Sequence, residues 1–278
     1  MRSKTILCPI GPKTTDRFVR QAAELAYEAD AHLSLLVMVL AAPPAIGKYA
    51  ALISDAWWEE RERDNAILVE KVAAVNSILT NTSAPVDVDG LYCETSAAAS
   101  EIGTRALYAD LMLLADEGTV SKALRRAAID GALFHASCPI FLPVADGKLS
   151  LAPHKVVLAW DSSPDAAAAA RQAIPLMKSA RDVHVLMVDP MDGGQDQDET
   201  PGTDIATYLA RHGIKVTVDR LEGRGRPVAT VLLQRAAELS ADLLVMGAYG
   251  HSRVTERVFG GVTQSMIGGA GIPVLLAR

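Results

Sequence analysis

Short apolar runs alternate with longer stretches of helical period from one end of the chain to the other. KTILCPI (4–10) precedes FVRQAAELAYEA, in which apolar residues return every three or four positions, and the same alternation closes the chain around PVATVLLQRAAELSA. Runs without polar interruption read as strands buried on both faces; the intervening stretches read as amphipathic helices. Strict alternation of the two predicts an α/β fold, with parallel sheets covered by helices on both faces and joined by right-handed crossovers.

The pattern also repeats. KTILCPI (4–10) aligns with KVVLAWD (155–161), and SLLVMV (34–39) aligns with VLMVDP (185–190) at the same displacement. Further on, ADLMLLADEG (109–118) matches ADLLVMGAYG (241–250), and ASCPIFLPV (136–144) matches AGIPVLLAR (270–278). Two copies of one unit follow, each a doubly wound, Rossmann-like parallel sheet of five strands. The strands are expected at 4–10, 33–40, 86–92, 110–115 and 139–144, then at 155–161, 183–189, 214–221, 242–247 and 272–277. Domains are assigned to 1–145 and 153–278, with the polar, turn-rich ADGKLSLAPH (145–154) as linker. The copies differ most after their second strands. The first inserts a loop and a long helix ending at residue 79, whereas the second has the acidic DPMDGGQDQDETPGTD, a composition expected of a mobile loop, and a short helix.

Composition narrows the function. The 278 residues are 50% apolar and 22% charged, with 27 Lys plus Arg against 33 Asp plus Glu, a formal net charge of −6. No block of like charge occurs, which argues against nucleic acid and anionic membranes as partners. No apolar run reaches spanning length and none at the N-terminus suits a signal peptide, so a cytoplasmic location is expected. Cys8, Cys93 and Cys138 are odd in number and lack any CxxC spacing, and so read as buried thiols of a reducing compartment.

Glycines concentrate in MGAYGHSRVTERVFGGVTQSM (246–266), directly after the apolar run of the ninth strand. Ligands of open parallel sheets collect at the carboxyl ends of strands, where strand order reverses. Gly247 and Gly250 there can take positive φ and admit close approach of backbone N–H groups to an anion, and Gly260 and Gly261 offer a second approach before a helix carrying Val262 and Thr263. Taken alone, such glycines equally serve tight turns and close helix packing.

The spacing Gly247-x2-Gly250-x9-Gly260 resembles the nucleotide-binding signature of the universal stress protein family, G-x2-G-x9-G-[ST]. The resemblance extends over nearly the whole chain as a tandem pair of family domains, through VVLAWDSSPDAAAAARQA, CPIFLPV and IPVLLAR. It implies the adenine nucleotide α-hydrolase-like fold and a stress-response protein that binds ATP, with Mg2+ on its phosphates, in the C-terminal domain and acts as a nucleotide-dependent regulatory or interaction module. It further implies that Asp161 and the strand end around Val188 hold adenine and ribose. Met246, Gly247, Gly250, His251, Gly260, Gly261, Val262 and Thr263 would line the phosphate path. One position departs: Gly261 stands where the family has Ser or Thr, removing a hydroxyl while keeping the N–H, and Thr263 offers a hydroxyl nearby. The resemblance also implies an intramolecular pseudo-dimer about a pseudo-twofold axis, the fifth strands pairing across it, with a further homodimer left open.

In the first copy, Ala115, Asp116, Glu117 and Gly118 align with Gly247 to Gly250, Ile10 replaces Asp161, and the Gly-Gly pair has no counterpart. Carboxylates there oppose an anion, so this half is expected to have lost triphosphate binding. His251 and Arg253 can neutralise phosphate or be solvated, and both readings stand. Arg224 and Arg226 read as a solvated turn before Pro227 at the first helical position, Trp57 and Trp58 as a partly buried helix face, and the alanines at 166–170 as helix propensity alone. No GxxxxGK[ST], GxSxG or Ser-His-Asp set can be placed, so enzymatic activity is limited at most to slow ATP hydrolysis. A nucleotide-independent interaction scaffold is the alternative.

Overall fold

The computed structural model describes residues 4–41, 55–115, 118–144, 147–190, 202–249 and 261–278. They fall into two compact units, one running to Ile140 and the other from Phe141. The first contains β1 (Thr5–Ile10), α1 (Asp16–Glu28), β2 (His32–Ala41), α2 (Asp55–Leu79), β3 (Val86–Glu94), α3 (Ala98–Ala106), β4 (Leu111–Leu113) and α4 (Lys122–Asp130). A π-helical turn, Gly131–Ala136, continues α4 and leads to β5 (Ile140–Leu142). The second unit contains β6 (Lys155–Ala159), α5 (Pro164–Ser179), β7 (Asp182–Val188), α6 (Thr203–Arg211), β8 (Val216–Leu221), α7 (Val228–Glu238), β9 (Leu243–Gly247), α8 (Gly261–Ile267) and β10 (Val274–Ala277).

Strand order is β3-β2-β1-β4-β5 in the first unit and β8-β7-β6-β9-β10 in the second, so the copies share one winding. The β1–β2, β1–β4, β2–β3, β6–β7, β6–β9, β7–β8 and β9–β10 ladders are all parallel. The α/β architecture expected from the periodicity is the one observed, and each sheet reverses direction beside its first strand. Leu111–Leu113 and Ile140–Leu142 are fully buried and shorter than the apolar runs that contain them. Apolarity reports burial, and it continues past the last ladder hydrogen bond.

The repeated Asp of ADLMLL and ADLLVM shows why the halves fold alike. In the first unit Asp110 Oδ2 accepts the Lys4 N–H at 2.7 Å and the Thr5 N–H at 3.0 Å. In the second, Asp242 accepts the His154 and Lys155 N–H groups, both at 2.9 Å. Each aspartate therefore anchors the start of its unit's first strand against the start of the fourth, two backbone donors being satisfied by one side chain.

Helices bury the faces that their spacing marks. Thr15 caps α1 by accepting the Phe18 N–H at 3.3 Å, and Phe18, Val19, Ala22, Ala23, Leu25 and Ala26 are buried. In α5 the buried face is Ala166, Ala169, Ala170, Ala173 and Met177. The alanines at 166–170 thus do more than favour helix: their small side chains let α5 lie close over β9. On α2, the Arg61 guanidinium lies 3.9 Å from the Trp57 ring centroid and 3.7 Å from Glu94 of β3, while Trp58 is exposed. Pro227 is the N-cap of α7 rather than its first helical residue, a displacement of one position. The acidic stretch 191–201 lies outside the described residues. No described helix is long and apolar enough to cross a membrane.

Candidate functional site

In the second unit, a cleft of about 330 Å³ opens at the carboxyl ends of β6, β7 and β9, where the strand order reverses. Its entrance is shaped by the local chemistry of WDSSPD. Asp161 Oδ1 accepts the Ser163 N–H at 3.0 Å, closing an Asx turn in which Ser162 takes φ 61°. Ser163 in turn caps α5, its Oγ accepting the Ala166 N–H at 3.1 Å, and Pro164 occupies the first turn, where a missing N–H costs nothing. Asp165 follows in the same turn, its Oδ1 3.7 Å from Arg278 Nε.

One side of the cleft is apolar: Leu186 and Val188 at the end of β7, Val228 and Leu232 on α7, with Trp160 and Met246 beside them. Gly247, Tyr249 and the first residues of α8, Gly261, Val262 and Thr263, form the other. Thr263 is 4% exposed, and its Oγ1 accepts the Tyr249 N–H at 3.4 Å, while the Ala248 N–H donates to Ala277 O at 2.8 Å. These two amides serve the protein itself, so the anion cradle expected just after Gly247 is not made by them. Nor does Gly247 use positive φ; that conformation falls to Tyr249, at φ 68°. What Gly247 needs is space: a Cβ there would lie 2.6 Å from Ala166 N and from the Asp165 carbonyl carbon. At Gly261 no described residue comes within 4 Å of such an atom, so none of them demands a glycine there.

Of the residues expected from the sequence, Asp161, Val188, Met246, Gly247, Gly261, Val262 and Thr263 are brought together around this one cleft. Gly250, His251 and Gly260 lie outside the described residues, as do Arg253, Asp116 and Glu117. Sequence reasoning missed Trp160, Ser163, Asp165, Tyr249, Val228 and Leu232 as lining residues. The i, i+4 spacing of Val228 and Leu232 was legible as a helix face, but not which strand ends that face would overlook. Arg224 and Arg226 stay in their own turn. Arg224 pairs with Glu222, and Arg226 donates to Gln234 Oε1 at 2.8 Å and to Gly223 O.

The corresponding place in the first unit is built differently. Leu124 of α4 lies 3.6 Å from where a Cβ on Gly11 would stand, just past β1. Arg125 Nη1 donates to Ala115 O at 2.9 Å, covering the end of the fourth strand. Side chains of α4 thus sit against the strand ends that border the cleft in the second unit.

Residues 153–278 match the universal stress protein family. No curated protein matches the chain at a significant level. Among solved structures, a universal stress protein from Archaeoglobus fulgidus is similar over 100% of this chain and 99% of its own, at 16% identity and a TM-score of 0.63. A functionally unknown protein from Pseudomonas aeruginosa is similar over 99% and 92%, at 17% identity and a TM-score of 0.56. A putative universal stress protein from the same species is similar over 99% and 93%, at 16% identity and a TM-score of 0.54. The second half of the chain is thus similar to the universal stress protein family, and the chain over its full length shares its fold with a universal stress protein.

Proposed function

We propose that the cleft of the second unit binds an adenine nucleotide, ATP with Mg2+, and that the chain is a nucleotide-dependent regulatory or interaction module of the stress response. The observation that carries this reading is the convergence of Asp161, Val188, Met246, Gly247, Gly261, Val262 and Thr263 on one cleft at the sheet's switch point. Its apolar side suits a planar base, and the Asp161 carboxylate near the end of β6 suits base or ribose donors. Its volume, about 330 Å³, is at the small end of ligand sites, enough for a nucleoside with phosphates extending outward. Among the described residues no three His, Cys, Asp or Glu side chains come together, so the magnesium would be held chiefly by phosphate oxygens.

The first half, in turn, is a domain whose nucleotide site has been given over to packing, as the contacts of Leu124 and Arg125 support. Calorimetric titration of the nucleotide-stripped full chain with ATP and magnesium tests both statements. One site per chain is expected. Absence of binding up to millimolar ATP would remove the nucleotide reading and leave the interaction scaffold, and two equal sites would remove the assignment of the first half.

A further inference from the structure

Among the described residues lining the cleft there are two carboxylates, Asp161 and Asp165, and no lysine, arginine or histidine. A wall of that charge repels a phosphate. Asp161 is exposed to solvent and its Oδ1 is engaged by the Ser163 N–H, so water and a backbone dipole spread its charge. Asp165 is different: its side chain is 20% exposed, and its backbone lies against Gly247, on the side of the cleft that the glycines form. The cation beside it is Arg278, whose Nε stands 3.7 Å from Asp165 Oδ1 and whose side chain is 30% exposed. Arg278 is held in register by the strand before it. Ala277 pairs with Gly247 in the β9–β10 ladder and accepts the Ala248 N–H, so the guanidinium emerges one residue from the cleft floor.

We infer that the Asp165–Arg278 ion pair decides whether this cleft accepts a phosphorylated ligand or only the bare nucleoside, an inference that rests on the nucleotide reading above. Arg278 does not line the cleft. It is a positioning residue that acts through Asp165: with Arg278 present the carboxylate is compensated, and without it an uncompensated negative charge borders the phosphate.

The test compares AMP with adenosine, which share the base and ribose and differ in the charged group, by calorimetry on the full chain. Arg278→Ala is expected to weaken AMP binding about tenfold while leaving adenosine within about twofold. Arg278→Lys should retain most of the AMP affinity, since it keeps the charge. Asp165→Asn combined with Arg278→Ala should recover AMP binding, because the charge that needed compensation is gone. An AMP-to-adenosine affinity ratio unchanged by Arg278→Ala, or a double variant that stays weak for AMP, overturns the inference while leaving the nucleotide reading intact. A native chain that binds neither compound overturns both.

Discussion

A Cβ at Gly247 would stand 2.6 Å from the Ala166 nitrogen, whereas one at Gly261 meets nothing within 4 Å. The two glycines of one motif therefore differ: backbone packing constrains the first, and no described residue constrains the second. Gly247→Ala must push α5 away from β9, and is expected to lower stability by about 1–3 kcal/mol, read as a lower urea midpoint. Gly261→Ser restores the hydroxyl found at this place in the family signature. It is expected to keep the urea midpoint and to tighten ATP binding; unchanged or weaker binding would show that the hydroxyl is not the missing contact. The cysteines separate by burial in the same manner. Burial pushes the Cys8 thiol far up and the Cys138 thiol up to about 12, and Cys93 is raised as well but only half-buried. At pH 8 in the folded chain Cys93 should be alkylated first, with Cys8 and Cys138 modified only in denaturant, as mass spectrometry of the labelled peptides would show. Labelling of Cys8 at the rate of Cys93 would contradict that order.

Two helices start with the same device and differ in what they border. Ser163 caps α5 at the mouth of the cleft, and Ser121 caps α4 of the first unit by accepting the Leu124 N–H at 3.2 Å. Removing either hydroxyl is expected to cost about 1 kcal/mol of stability. Only Ser163→Ala should also weaken ATP binding, because it loosens the turn that holds Asp161 at the cleft; equal effects of the two variants on binding would separate the cleft from the nucleotide. At this scale the sequence was readable where apolar spacing was regular, as in FVRQAAELAYEA of α1 and PVATVLLQRAAELSA of α7. It was less readable at Leu111–Leu113 and Ile140–Leu142, since strand ends are set by the partner's hydrogen bonds and not by apolarity. The π-helical turn at Gly131–Ala136 had no sequence signal of its own.

For the whole molecule, the proposed single site implies linkage between binding and folding of the half that contains it. Saturating ATP, at about 100 times Kd, should stabilise that half by about 2.7 kcal/mol and leave the other half's transition unmoved if the two units unfold separately. Thermal denaturation with and without nucleotide reads this directly, and no shift at saturation would contradict the site. The sequence by itself determined the internal repeat and the alternation of strand and helix, because burial period and self-similarity are local properties of the chain. Seven of the residues that line the cleft were named beforehand: the glycines after a strand end marked Gly247, Gly261, Val262 and Thr263, and the family resemblance implied Asp161, Val188 and Met246. Tertiary structure decided the rest. Only packing shows that Gly247 yields space to α5, that Trp160 and the Val228–Leu232 face close the apolar side, and that Arg278 reaches Asp165. Each is a contact between residues distant along the chain, where spacing carries no information and only the juxtaposition of elements assigns a neighbour.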